Sequence, residues 1–176
     1  MRTFTHSLRH VVPVRCIGAG VLLLGVTVPS LPLAAAELTA SDQGTVIFVC
    51  KYGSMKSQMA AAYFNRLAKE RGLHLTAISR AFTPDTEIPA SVIENMATEG
   101  LAPVNEIASL TPDEATVAAK IYSFDEIPAE NKGAAEYKHW TDVPPSKKDY
   151  WGAMSVIKRH VAEEIDSIVS TKVGNR

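Results

Sequence analysis

Cys50 stands at the end of an apolar run, Val46-Ile47-Phe48-Val49, and a short polar loop follows it. The loop consists of Lys51, Tyr52, Gly53, Ser54 and Met55. A cation and a hydroxyl group, Lys56 and Ser57, come next, where a helical pattern begins. A thiol followed by a short loop, a cation and a helix start is typical of a cysteine nucleophile placed beside an anion-binding site.

The chemistry of such a loop follows from its backbone. Several N–H groups at a loop that enters a helix converge on one point, and the positive end of the helix dipole adds to their field. An oxyanion would bind there, and the thiolate, which is the nucleophilic form of cysteine, would be stabilised. We expect Ser57 to donate a hydrogen bond to the sulfur and Lys56 to neutralise an oxygen of a bound phosphoryl group. The five loop residues between them would contact the substrate.

A free cysteine at the end of a buried strand also has a simpler interpretation, because cysteine is often an inert core residue. The chain contains two cysteines, and the other one, Cys16, lies near the N-terminus. Its place in a segment that is expected to be removed leaves Cys50 without an intramolecular disulfide partner. The cation and serine that follow Cys50 favour the catalytic interpretation.

Residues 1–36 have the pattern of a secretory signal peptide. They contain Arg2, Arg9 and Arg15 but no Asp or Glu, and the apolar stretch after Arg15 leads to Ala34-Ala35-Ala36. We expect cleavage after Ala36. The alternative is an uncleaved anchor, but the apolar core is shorter than the roughly 20 residues that span a bilayer. The mature protein would then be residues 37–176, periplasmic or secreted, with no stable membrane anchor.

The composition restricts the classes of partner and cofactor. The chain has 18 Lys plus Arg against 19 Asp plus Glu, a formal net charge of −1, and this balance does not indicate binding to nucleic acid. His74 and His160 have no cysteine or second histidine at ligand spacing. The sequence therefore predicts one domain with no metal site and no cofactor, and it makes no prediction of oligomeric state.

Strand and helix patterns alternate along residues 37–176. Strands are predicted over residues 45–49, 73–79, 120–124 and 137–140. Helices are predicted over residues 57–71, 91–98 and 111–119, and in a long segment that starts at residue 146. Such alternation predicts an α/β fold with a parallel sheet covered on both faces. Ligands of these sheets bind at the carboxyl ends of the strands, which is where Cys50 lies.

Residues 46–60 resemble the start of the low-molecular-weight protein tyrosine phosphatases and their arsenate reductase relatives. That family has a phosphate loop of the form Cys, five residues, Arg, Ser or Thr, followed by a helix, and Gln58-Met59-Ala60 fits the helix start. The likeness continues through Ser79-Arg80-Ala81, Ser109-Leu110-Thr111-Pro112 and His139-Trp140, and covers most of residues 45–170. It implies a three-layer α/β/α sandwich with a four-stranded parallel sheet. It also implies metal-free hydrolysis of a phosphotyrosine or aryl phosphate through a phosphocysteine intermediate.

The loop departs from the family pattern at two places. Lys56 stands where the family has arginine, so that a flexible point charge replaces a rigid bidentate fork. Loss of preorganised donors of this kind typically costs about 10²- to 10³-fold in rate. Tyr52 and Gly53 stand where the family usually has glycine and asparagine. We expect oxyanion binding to survive and transition-state stabilisation to weaken.

The resemblance also requires a general acid, which the family supplies as an aspartate just before a proline on the last loop. Asp142 lies near Pro144 and Pro145, so we predict it as the acid, although aspartate at such a place is also a common turn residue. Asp125, at the carboxyl end of a predicted strand, is the second candidate and could instead orient the phosphate loop.

Two other functions stay open from the sequence. One is reduction of arsenate with an external thiol, since residues 37–176 offer no second cysteine to resolve an adduct on Cys50. The other is an exported pseudophosphatase that binds an oxyanion through Lys56 without efficient turnover. Phosphate ester hydrolysis is the preferred prediction.

Overall fold

The computed structural model describes residues 43–131 and 136–174. Contacts divide the chain into residues 1–35 and residues 36–176, and all the described residues belong to the second unit. The predicted signal peptide, residues 1–36, lies outside the described residues.

A four-stranded sheet forms the centre of the described unit. Its strands are β1 (Gln43–Cys50), β2 (His74–Ala81), β3 (Lys120–Ser123) and β4 (Tyr137–His139). Their spatial order is β2-β1-β3-β4, and every neighbouring pair is parallel. The predicted four-stranded parallel sheet is confirmed. β1 is central and buried on both faces, which is why its sequence is a continuous apolar run instead of an alternating one.

Within residues 43–131 and 136–174, four helices connect and cover the strands. They are α1 (Lys56–Glu70), α2 (Ala90–Thr98), α3 (Pro112–Val117) and α4 (Tyr150–Gly174), with a 3₁₀ turn at Ala129–Asn131. A capping box starts α3, because Thr111 Oγ1 accepts from the Glu114 N–H at 3.2 Å and Glu114 Oε2 accepts from the Thr111 N–H at 3.3 Å. No helix among the described residues is long and apolar enough to cross a membrane.

The core lies on both faces of the sheet. Phe48 of β1 packs on one face with residues of α1 and α4, including Phe64 and Ile157. Ile47 and Val49 point to the opposite face, because side chains alternate along a strand, and there they pack with residues on and around α3. The predicted arrangement of helices on both sides of a parallel sheet is confirmed.

The last helix starts later than the sequence predicts. α4 begins at Tyr150 rather than at residue 146, because the N–H groups of Lys148 and Asp149 both donate to the Pro145 carbonyl and form a turn. Asp149 Oδ1 then accepts from the Gly152 N–H at 2.8 Å, as an N-capping side chain does. Residues 145–149 consequently belong to a loop that reaches over the end of β1.

Candidate active site

The thiol of Cys50 lies at the carboxyl end of β1, where the predicted strand meets the predicted loop. The residue is 4% exposed. Its Sγ accepts a hydrogen bond from the Gly53 N–H at 3.2 Å and lies 3.2 Å from the Ser57 hydroxyl oxygen. The Ser57 contact is short enough for the hydroxyl to donate, and two donors at this distance would stabilise negative charge on sulfur.

Ser79 extends this hydrogen-bond chain. Its hydroxyl group, buried on β2, donates to Ser57 Oγ at 2.9 Å. The Ser79 hydroxyl also lies 3.2 Å from the Gly53 carbonyl oxygen; when its single proton goes to the nearer Ser57 Oγ, the Ser57 hydroxyl proton points at Cys50 Sγ. Asn105 holds the Ser79 backbone by accepting from its N–H at 2.9 Å and donating to its carbonyl at 3.1 Å. Ser79 therefore orients the serine that contacts the sulfur.

Gly53 is required by the path of the loop. Its φ is +74°, in the left-handed region that glycine adopts without strain. A Cβ at this position would lie 2.8 Å from Ala81 Cβ and 3.0 Å from Ile107 Cγ2. The loop passes close to the end of β2 here while the Gly53 N–H points toward the sulfur. A residue without a Cβ is therefore needed at this point of the loop.

The segment after β2 fastens the rest of the loop. The Lys51 carbonyl accepts from the Thr83 N–H at 2.8 Å, and the Tyr52 carbonyl accepts from the Asp85 N–H at 3.0 Å. Ser54, 1% exposed, donates its hydroxyl to Asp85 Oδ2 at 2.5 Å. The Ser54 side chain thus holds the loop in place, and its role as a substrate contact stays a prediction.

Lys56 and Asp125 bring opposite charges to the site. Lys56 Nζ lies 4.0 Å from Asp125 Oδ2, 3.5 Å from the Phe124 carbonyl oxygen and 5.4 Å from the centre of the Phe124 ring. Asp125 Oδ2 also accepts from the Lys51 N–H at 2.8 Å. Asp125 follows β3, the strand beside β1, so its carboxylate lies close to the loop after Cys50. There it holds the loop through the Lys51 N–H and faces the ammonium group of Lys56.

A cavity of about 220 Å³ opens beside the thiol. Its lining residues come from the loop after β1, from the end of β3 and from the loop before α4: Cys50, Lys51, Tyr52, Ser54, Met55, Lys56, Asp125, Pro145, Ser146 and Lys147. The structure therefore brings together most of the site residues that the sequence predicts, with Gly53 and Ser57 in contact with the sulfur behind this lining.

Asp142, the predicted general acid, is not among the residues that line this cavity. Its carboxylate accepts hydrogen bonds from Arg159 Nη2 at 2.9 Å and pairs with His160 Nε2 at 2.7 Å, both on α4. The hydrogen bond with His160 lowers the pKa of Asp142, and Arg159 adds to that effect. A carboxyl group held ionised at the surface is a poor proton donor, and Asp125 is the carboxyl group that the structure places in the cavity.

Three residues that support the site have no assigned role in the sequence-based prediction: Ser79, Asp85 and Asn105. Ser79 gave a usable signal, because alternation along the strand places it on the same face as the apolar residues Leu75, Ala77 and Ala81. Asp85 and Asn105 lie in irregular segments, where a single sequence shows nothing about their partners. Among residues 43–131 and 136–174, no cluster of three or more His, Cys, Asp or Glu is placed to hold a metal ion.

Solved structures of other proteins share this fold. No protein-family model and no curated protein matches the sequence. The structure is similar to that of YfkJ from Bacillus subtilis, with 22% identity, a TM-score of 0.63, and coverage of 74% of this chain and 97% of that one. An arsenate reductase from Archaeoglobus fulgidus DSM 4304 matches with 20% identity, a TM-score of 0.54, and coverage of 69% and 98%.

A YwlE arginine phosphatase from Geobacillus stearothermophilus also matches, with 13% identity, a TM-score of 0.59, and coverage of 76% of this chain and 97% of that one. At these identities the similarity establishes the fold. Two of these three neighbours are named as an arsenate reductase and an arginine phosphatase, and the shared fold is the one that the sequence resemblance implies.

Proposed function

We propose that this protein hydrolyses aryl phosphomonoesters through a phosphocysteine intermediate. The observation that carries the proposal is the environment of the Cys50 sulfur, with two hydrogen-bond donors on it and a lysine beside it in one cavity. A buried thiol with no function needs neither the donors nor the cation. A nucleophile that must attack an anionic phosphoryl group needs both.

The reaction would proceed in two displacements. The Cys50 thiolate attacks phosphorus, the S–P bond forms, and the bond from phosphorus to the aryl oxygen breaks with its electron pair on the departing aryloxide. Water then attacks phosphorus, the S–P bond breaks, and inorganic phosphate and the thiolate are released. Lys56 would offset charge on the phosphoryl oxygens, and Ser57 would stabilise the sulfur each time it leaves.

Asp125 is the carboxyl group best placed to move protons in both steps. It would give a proton to the departing oxygen and later take one from the attacking water. Its Oδ2 accepts from the Lys51 N–H and lies 4.0 Å from Lys56 Nζ, so these two contacts compete with the departing oxygen for the carboxyl group. Aryl esters are therefore the expected substrates, since a phenol, with a pKa of about 10, leaves with less protonation than an alkanol.

The test is hydrolysis of p-nitrophenyl phosphate by the purified protein. We expect turnover in the wild type, competitive inhibition by vanadate, and loss of turnover in Cys50→Ser. A quenched reaction should trap a phosphoryl group on the wild-type protein and none on Cys50→Ser. Thermal unfolding of both proteins is the control for folding. Equal rates in the two proteins would contradict a cysteine nucleophile.

Binding of an oxyanion without turnover is the second candidate. It is favoured by the lysine at position 56 and by the absence of an aspartate from the lining that the loop before α4 contributes, namely Pro145, Ser146 and Lys147. Titration calorimetry with phosphate separates the two functions. Measurable binding together with rates no higher than those of Cys50→Ser would favour this candidate.

Reduction of arsenate is tested in the same preparation. Cys50 is the free cysteine of the described residues, so an added small thiol must resolve any adduct with arsenate. Formation of arsenite that requires both the small thiol and Cys50 would support reductase activity. No arsenite above the Cys50→Ser background is the result expected from the phosphatase proposal.

We also propose, from the pattern of residues 1–36, that the protein works outside the cytoplasm. Expression of the full chain followed by mass measurement of the mature product tests this. A product that starts at Glu37 in the extracytoplasmic fraction is expected. An uncut chain in the cytoplasmic fraction would contradict export.

A further inference from the structure

Two lysines flank the ring of Tyr52 at the mouth of the cavity. Lys51 Nζ lies 5.2 Å from the ring centre, and Lys147 Nζ lies 5.8 Å from it. Lys51 belongs to the loop after β1, whereas Lys147 belongs to the loop before α4, and both line the cavity. Tyr52 itself is 40% exposed. Two separate elements thus bring positive charge to the same aromatic ring.

Neither of these lysines has a carboxylate partner within 4.0 Å in the part of the chain that the structure describes. Nearby carboxylates have other partners, since Asp125 pairs with Lys56 and Asp149 accepts from the Gly152 N–H. A tyrosine ring attracts a cation only weakly at an exposed position. The two ammonium groups therefore form a positive region that an anion from a ligand would neutralise.

Lys147 also faces a second depression, so that space for a substrate continues beyond the phosphate site. This depression has a volume of about 470 Å³ and shares Met55, Ser146 and Lys147 with the cavity beside Cys50. It adds a further cation, Lys148. A substrate whose phosphate reaches Cys50 would carry the rest of its structure past Lys147.

We propose that the substrate is an aryl phosphomonoester with a second anionic group outside its phosphate, and that Lys147 and Lys51 bind that second group. This inference rests on the proposed function of the same site. Lys56 acts on the phosphate, whereas Lys51 and Lys147 select what is attached to it. Lys147 is then a specificity-determining residue, because its charge acts on the second anion instead of on the reacting atoms.

Two tripeptides test the proposal with the leaving group held constant. Each has phosphotyrosine in the middle, flanked by glutamate in one peptide and by glutamine in the other. With the full-length protein at low salt we expect kcat/KM to be about fivefold higher for the glutamate peptide, the size of one unit-charge contact in water. In roughly 1 M salt, where the Debye length is about 3 Å, the preference should disappear.

Matched variants assign the preference to these lysines. Lys147→Met should reduce the preference for the glutamate peptide over the glutamine peptide to less than about twofold. Lys69→Met removes the same charge at the far end of α1 and should keep the full preference. A preference that survives in both Lys147→Met and Lys51→Met would overturn the proposal.

The outcomes separate this inference from the proposed function. Equal hydrolysis of the two peptides by the wild type overturns the inference and leaves phosphatase activity intact. If neither peptide is hydrolysed, turnover of p-nitrophenyl phosphate decides the hydrolase proposal, and calorimetry with Cys50→Ser decides the inference. Tighter binding of the glutamate peptide that is lost on adding Lys147→Met supports it. Equal binding, or no binding of either peptide, overturns it.

Discussion

Lys56 faces Asp125 in the candidate active site, with 4.0 Å between Nζ and Oδ2. An incoming phosphate would meet both groups, and the two act on it in opposite ways. The lysine attracts the anion, whereas the carboxylate repels it and competes for the lysine. The balance between binding and turnover therefore depends on this pair.

Asp125→Asn should separate binding from chemistry. Removal of the negative charge should tighten the binding of phosphate or vanadate by about fivefold, because one repulsive contact is lost. The same change removes a proton carrier, so turnover should fall by about 10²-fold for alkyl phosphates and by less for p-nitrophenyl phosphate. Inhibition constants and kcat values for the two ester classes are the measurements. An equal loss for both classes would show that Asp125 positions the loop and moves no proton.

Lys56→Arg tests whether the lysine is a weakened form of the family's arginine. A guanidinium group offers two parallel donors to a phosphoryl group, whereas the ammonium group acts as a point charge. We expect kcat for p-nitrophenyl phosphate to rise by about tenfold, a fraction of the 10²- to 10³-fold attributed to a preorganised donor. Lys69→Arg is the control for a general effect of arginine. A lower kcat in Lys56→Arg would show that the loop is built around lysine and its contact with the Phe124 carbonyl.

Ser79→Ala tests the hydrogen-bond chain behind the sulfur. The Ser57 hydroxyl would lose the donor that orients it, and its hydrogen bond to Cys50 Sγ would weaken. A net hydrogen bond of about 1 kcal/mol corresponds to a decrease in kcat of about fivefold. The KM for p-nitrophenyl phosphate should change little, because Ser79 is buried and does not line the cavity. A rise in KM with unchanged kcat would contradict this positioning role.

The part of the site that sequence predicts well is the part that is contiguous in the chain. Cys50, Lys56 and Ser57 lie at the junction of one strand and one helix, so local geometry is enough to bring them together. Asp125 is harder to predict, because it follows a different strand. Parallel strands end at the same edge of a sheet, however, and this rule places Asp125 near Cys50. Its place as second candidate reflects that rule.

Asp142 shows where prediction from sequence stops. Its closeness in sequence to Pro144 led to the prediction of a general acid at the active site. The orientation of the Asp142 carboxylate is set instead by its hydrogen bonds to Arg159 and His160, which lie on α4, after that loop. The hydrogen bonds of Asp85 and Asn105 to the site are of the same kind. These hydrogen bonds join irregular segments to residues that are 31 and 26 positions away along the chain. The tertiary fold determines such contacts, so local sequence patterns do not predict them.

The position of Asp142 outside the cavity predicts the effect of Asp142→Asn. The change should leave kcat within about twofold of the wild type for both aryl and alkyl phosphates, because the carboxylate does not line the cavity and surface pairs contribute little. Steady-state kinetics with the two ester classes at neutral pH is the measurement. A loss of turnover that is larger for alkyl phosphates would return the role of general acid to Asp142.

Glu164 gives a prediction for stability that is independent of the active site. The residue is 6% exposed, and its carboxylate accepts from Tyr122 Oη at 2.9 Å, bonds to Lys138 Nζ, and lies 3.6 Å from Lys120 Nζ. Burial acts to raise the pKa of Glu164, but the hydrogen bonds from Lys138 and Tyr122 outweigh it, so that the pKa is lowered. The ionised carboxylate is therefore favoured in the folded protein.

The sign of the pH dependence follows from linkage. The unfolded chain, with a glutamate pKa of about 4.3, binds more protons than the folded chain as the pH falls below neutrality, so stability rises with pH in that range. The contribution of Glu164 should be complete above about pH 4.3 and should be lost as the pH falls through the lowered pKa of the folded state. Glu164→Gln should accordingly destabilise the protein by about 1 to 3 kcal/mol at neutral pH, and less in acid.

Urea unfolding of the wild type and Glu164→Gln between about pH 3 and pH 7 measures this difference, with the range set by the glutamate pKa. Glu94→Gln, at an exposed position on α2, is the matched control and should leave the free energy of unfolding nearly unchanged at each pH. A difference between wild type and Glu164→Gln that stays constant or grows on acidification would contradict the lowered pKa. It would then show that Glu164 stabilises the fold through packing and neutral hydrogen bonds instead of through its charge.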